Sequence, residues 1–68
     1  MQIAFQKHRR KIGLSQSAAA RLLGVTPGLV NHWELGRRKI TAEMAVRIEK
    51  ALGIDRAKIR PDLFKREG

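Results

Sequence analysis

The sequence predicts an all-α fold, a compact bundle of about five short helices. Three observations carry that prediction. Apolar residues recur at the three- and four-residue spacings of a helix. Glycines fall at the ends of these periodic segments, where a left-handed residue closes a helix. No segment shows the period-two alternation of a strand, and no repeat or low-complexity linker interrupts the 68 residues.

Taken in order, Phe5 and Ile12 define one face of a first helix from Met1 to Lys11, whose remainder is rich in Lys and Arg, and Gly13 stops it. Ser15 is the N-cap of a second helix, Gln16 to Leu23, with an apolar stripe of Ala19, Ala20 and Leu23 closed by Gly24. Thr26 caps a third, Pro27 takes the first helical position where its missing N–H costs nothing, and Gly36 follows Leu35 as terminator. Thr41 caps the longest and most periodic segment, with Met44, Ala45, Ile48, Ala51 and Leu52 on its apolar side before Gly53. Asp55 caps one more turn through Ile59, and Pro61 prevents its continuation. Residues 1–60 thus form one domain and 61–68 a C-terminal tail.

A chain this short buries only about 60% of the surface its unfolded form exposes, so there is no room for a second domain. Hydrophobic residues make up 43% of it, enough for a modest core. Without cysteine, that core must be held by helix packing or dimerisation. The absence of a membrane-length apolar run or a signal peptide points to a soluble protein of the cytoplasm, associated with the nucleoid. Fifteen Lys and Arg against six Asp and Glu give a net charge of +9, which calls for a polyanionic partner. Nucleic acid comes first. A membrane surface comes second and is set aside, because its apolar helix faces would want bulky aromatics and the chain has only Phe5, Trp33 and Phe64. RNA binding would likewise want exposed stacking platforms, and Trp33 reads as core. No nucleophile with a base, carboxylate pair, phosphate loop or metal constellation is present, so neither an enzyme nor a cofactor is expected, and His8 and His32 have no cluster to make them metal ligands.

The informative stretch runs from Leu14 to Gly36, where two short helices joined by Gly24-Val25-Thr26 must cross steeply to bury their stripes together. Ala19 and Ala20 permit close approach, and Val25, Val30 and Trp33 pack the later helix onto the earlier one. This is a helix-turn-helix unit, residues 15–36. Gly28, Asn31, His32 and Leu35 are left together on the outer face, the one a DNA groove would meet.

In Gly13-Leu14-Ser15-Gln16, Leu23-Gly24-Val25-Thr26, Val30 with Trp33-Glu34-Leu35-Gly36, and Ala51-Leu52-Gly53-Ile54, the chain resembles the Cro and CI repressor family of phage-type helix-turn-helix proteins, from about Phe5 to Ile59. The ending Arg60-Pro61-Asp62-Leu63-Phe64 looks more like its small prophage YdaS-like members. The resemblance implies a lambda-repressor-like domain whose third helix enters the major groove, with Gln16 anchoring a phosphate; a helix N-terminus favours an anion, which supports that role independently of the alternative, a solvated glutamine. It also implies that Asn31 and His32 touch base edges, where Asn pairs bidentately with adenine and neutral His bonds to guanine, the alternative being that they coat a solvated helix. Arg9 and Glu34 match positions that pair structurally. Pro27 and Gly28 depart from the family, which commonly has long polar side chains there, so direct readout is thinner and DNA shape carries more of it. Gly28 then allows close backbone approach, and Thr26 or Leu29 meets a thymine methyl or a phosphate. Thr26, Pro27 and Gly28 complete the expected base-contacting group. Ser15, Gln16, Arg37, Arg38 and Lys39 form the phosphate-contacting group, with Lys7, Arg10 and Lys11 as lesser candidates.

The expected function is a sequence-specific transcriptional regulator, a repressor that binds a palindromic double-stranded operator as a homodimer, at least on DNA. The alternative is an antitoxin-like or other protein-interaction module that engages a partner through Ile54, Ile59, Leu63 and Phe64. Leu63 and Phe64 either build the dimer contact or fold back to finish the core.

Overall fold

Short polar side chains start four of the helices. Ser15, Thr26 and Thr41 sit in extended backbone and accept the N–H groups of Ala18, Leu29 and Met44 at 3.0, 3.2 and 3.1 Å, and Asp55 accepts that of Ala57 at 2.9 Å. The computed structural model, which describes residues 3–64, contains among them α1 (Ile3–Lys11), α2 (Gln16–Leu23), α3 (Pro27–Leu35), α4 (Ala42–Leu52) and α5 (Arg56–Ile59), and no strand. Met1 and Gln2, part of the expected first helix, and 65–68, the outer part of the expected tail, lie outside the described residues.

The end of α2 sets the angle at which α3 departs. Gly24 takes the left-handed conformation at φ +71°, which lets its N–H reach the Arg21 carbonyl while Val25 N–H reaches that of Ala20 at 2.9 Å. This paired closure satisfies two carbonyls left over at the helix end and turns the chain sharply. A side chain at residue 24 would have to adopt that φ against its own Cβ.

α2 packs on α3 and α4, while α1 reaches α3 and α5. Their inner faces supply the core of Phe5, Ala19, Ala20, Leu23, Val30, Trp33, Ile40, Ala45, Ile48, Leu52, Ile54 and Ile59. The Phe5 and Trp33 rings meet edge to face at 5.8 Å, the arrangement their quadrupoles favour, and join α1 to α3. His8 Nε2 lies 2.8 Å from the Leu52 carbonyl and ties α1 to the end of α4.

Several expectations need correction. Ile12 is 45% exposed, because α1 stops at Lys11 and the turn at Gly13 swings it off the Phe5 face. Ala51 is exposed, since the buried stripe of α4 runs through Ala45, Ile48 and Leu52 and places it one step outside. Ile54 and Ile59 are 3% and 2% exposed, so they are core residues and cannot contact a protein partner. Nor do residues 61–64 behave as a tail. The Arg60 guanidinium donates to the Ile40 carbonyl at 2.6 Å and grips Asp62 through two hydrogen bonds of 3.0 and 2.7 Å, while the Leu63 and Phe64 N–H groups bond to Arg60 O. Phe64 packs against the core beneath the Arg56 guanidinium, 5.5 Å from its ring centre, which follows the fold-back alternative; Leu63 alone of the named apolar set stays exposed.

Candidate nucleic-acid interface

The interface is organised from behind by Glu34. Its carboxylate is 1% exposed and receives four hydrogen bonds: Arg9 Nε at 2.7 Å and Nη2 at 2.9 Å from α1, Gln6 at 3.3 Å from the same helix, and Gln16 at 3.2 Å from α2. Arg9 also donates to the Leu14 carbonyl at 2.8 Å, so a single guanidinium fixes α1, the approach to α2 and the last turn of α3. A two-pronged guanidinium–carboxylate contact of this kind holds orientation as well as charge. The pair expected between Arg9 and Glu34 is thus part of a wider network that reaches both helices of the unit.

The network continues outward. Gln16 Nε2 donates to Asn31 Oδ1 at 3.2 Å as well as to Glu34, so both amide hydrogens of Gln16 are engaged within the protein. The Gln16 side chain, expected to anchor a phosphate, is thus turned to partners on α3. The Ser15 hydroxyl oxygen accepts Ala18 N–H as the cap, and its O–H remains a donor at this exposed position. Asn31 is steadied in turn, with its NH2 group and a second lone pair on Oδ1 still available.

Along α3 the two faces separate cleanly. Val30, Trp33 and Glu34 are buried, while Gly28 and Leu35 are exposed and Asn31 and His32 are half-buried beside them. His32 Nδ1 is covered and has no hydrogen-bond partner among the described residues, which leaves Nε2 as the ring nitrogen able to meet a partner. Thr26 and Pro27 are exposed at the start of the helix, the Thr26 hydroxyl accepting Leu29 N–H. Leu29 leans on the core and is only partly accessible.

Arg37, Arg38 and Lys39 all lie exposed in the turn that leaves α3, with the Arg37 and Arg38 N–H groups anchored on the His32 carbonyl at 2.9 and 3.3 Å. Lys7, Arg10 and Lys11 are exposed on α1. Asp62 lies near this basic turn, and the hydrogen bonds from Arg60, with a lesser effect of the Lys39 charge, hold its carboxyl below its ordinary range. No group of three or more metal-ligating side chains occurs among the described residues, and no helix there is long and apolar enough to cross a membrane.

Sequence reasoning placed the outer face of α3 and the basic turn, but not the links from Gln16 to Asn31 and from Gln6 to Glu34. A glutamine one turn before Arg9 on α1 was the available signal for the second.

Burial pushes the Glu34 carboxyl up, but the hydrogen bonds from Arg9, Gln16 and Gln6, with the Arg9 charge, outweigh it and hold the group below its ordinary 4.5. Between the folded value and 4.5 the unfolded chain binds more protons, so folding stability falls as pH drops through that window and is complete above it. Denaturant unfolding followed from neutral pH into acid is expected to show this loss, at up to about 1.4 kcal/mol per pH unit for one proton. Glu34→Gln should flatten that limb; an unaltered acid limb would mean that another carboxylate causes it.

A family model described as "Helix-turn-helix" matches residues 5–59. Over 36 residues, 53% of this chain, the sequence is 56% identical to the Escherichia coli (strain K12) protein YdaS, described as a candidate transcriptional regulator. The aligned stretch spans 37% of that relative's length. No solved structure gives a significant match. With its capped α2–turn–α3 unit, the outer face of its third helix and a family match across nearly all of the packed chain, this protein belongs to the Cro-like helix-turn-helix family.

Proposed function

We propose that the chain is a sequence-specific repressor that lays α3 in the major groove and binds a palindromic operator as a pair of identical subunits. The observation that carries this reading is the division of α3 into an inner face of Val30, Trp33 and Glu34 and an outer face of Gly28, Asn31, His32 and Leu35, followed at once by Arg37, Arg38 and Lys39. The basic turn fixes the protein on the sugar-phosphate backbone without regard to sequence. Asn31 pairs with an adenine edge and His32 donates from Nε2 to guanine O6 or N7. Ser15 and Gln16 bring the start of α2 to a phosphate, through backbone N–H groups at the positive end of the helix dipole. Thr26 and Pro27 flank the bases read at the start of α3.

One unit of this kind reads only a few base pairs, so two copies on half-sites about one helical turn apart give usable specificity. Repression follows when such an operator overlaps a promoter, because the occupied site excludes polymerase.

Selection of bound sequences from a random duplex pool tests the reading, followed by affinity for the winner and for a scrambled duplex across a salt series. A two-fold symmetric winner bound at least ~10³-fold above the scrambled duplex is expected, with a log–log salt slope of about 0.9 per phosphate contacted. Binding without any consensus, lost uniformly with salt, would reduce the interaction to the attraction of a +9 surface.

A further inference from the structure

Gly28 stands in the first turn of α3, where nothing inside the protein calls for glycine. Gly13, Gly24, Gly36 and Gly53 all have positive φ; Gly28 does not. A Cβ built on it would meet only the Thr26 hydroxyl oxygen, at 3.9 Å, an ordinary van der Waals contact. Alanine would fit this backbone and, by restricting the unfolded chain, would stabilise the helix. A residue that weakens its own element with no internal compensation marks a place where something outside the fold sets the requirement.

The surroundings say what that is. Gly28 shares the exposed face of α3 with Asn31, His32 and Leu35, and Arg37, Arg38 and Lys39 follow at the far end. Before it, Pro27 carries no N–H, and the Thr26 hydroxyl oxygen accepts Leu29 N–H, leaving its O–H as the one side-chain donor at this end of the helix. The first turn of α3 is thus nearly bare backbone, while the middle of the helix bears the groups able to read base edges. A surface pressed against residue 28 comes closer by the thickness of a methyl group, and every side chain farther along reaches correspondingly deeper.

We infer that Gly28 is a seating contact: its Cα lies directly against the wall of the DNA groove, and the missing Cβ sets the depth at which α3 docks and hence the reach of Asn31 and His32. This rests on the DNA-reading role proposed above and deepens it. At this position the duplex is recognised by the fit of its groove to bare backbone, a form of shape readout, and not by a hydrogen bond from a side chain.

The test compares Gly28→Ala and Gly28→Gln with the parent chain, by thermal melting and by affinity for the duplex that the parent selects. Gly28→Ala is expected to melt no lower than the parent, and up to a few degrees higher, while losing affinity on the order of ten- to a hundredfold. Gly28→Gln should lose more. Parent-like affinity in Gly28→Ala, or tighter binding in Gly28→Gln, would show room for a side chain and overturn the inference while leaving the DNA reading intact. A parent chain that selects no duplex would remove that reading, and the inference with it.

Discussion

Glu34→Ala is expected to lower folding stability by about 3–5 kcal/mol, the cost of leaving a buried charge without its partner. The uncompensated group is Arg9, whose side chain is 9% exposed and whose guanidinium would keep only its bond to the Leu14 carbonyl. Gln6 also loses its acceptor and Gln16 one of its two, but both are half-exposed and water replaces much of that loss. A domain of this size has a total stability of roughly 3–10 kcal/mol, so the loss removes between about a third and all of it and the variant should melt far below the parent. Thermal melting followed by circular dichroism measures this directly. Replacing both members, Arg9→Met with Glu34→Leu, should recover part of the loss, because two apolar side chains of similar volume need no partner. A melting temperature unchanged by Glu34→Ala would refute the central place given to this carboxylate.

Asn31→Ala combined with His32→Ala should do the reverse, sparing the fold and removing the discrimination. Both side chains are half-buried on the outer face of α3 and neither belongs to the core, so stability should change by less than about 1 kcal/mol. Each well-made base contact is worth about 1–3 kcal/mol of discrimination, so the pair should reduce preference for the selected duplex by on the order of 10²–10⁴. Affinity for a scrambled duplex should hold, since Arg37, Arg38 and Lys39 are untouched. A double variant that still prefers the selected site would show that the sequence is read by other residues.

The helices were legible because their determinants are local. A capping hydroxyl three residues before the N–H it accepts, a glycine just after a periodic stripe and a proline at the first helical position are all short-range signals, and each starts or ends an element where expected. Burial of Ile40 was not legible, since it stands between Lys39 and Thr41 in a turn with no period to betray it. Its carbonyl is held by the Arg60 guanidinium, twenty positions away. For the same reason Ile54 and Ile59 read as a sticky ending: a one-turn helix has too few residues to display a face. In the candidate site the outer positions of α3 followed from the helical repeat alone. The Gln16–Asn31 link did not, because it depends on the crossing of two helices and not on the sequence of either.

The alternation along α3 has an evolutionary consequence. Positions 30, 33 and 34 hold the molecule together, whereas 28, 31, 32 and 35 face away from it. The two groups interleave within one nine-residue helix yet answer to different pressures. On the DNA-reading role proposed above, a lineage carrying this domain would exchange the outward letters while the inward ones stay fixed, and so change the duplex it prefers without passing through an unfolded ancestor.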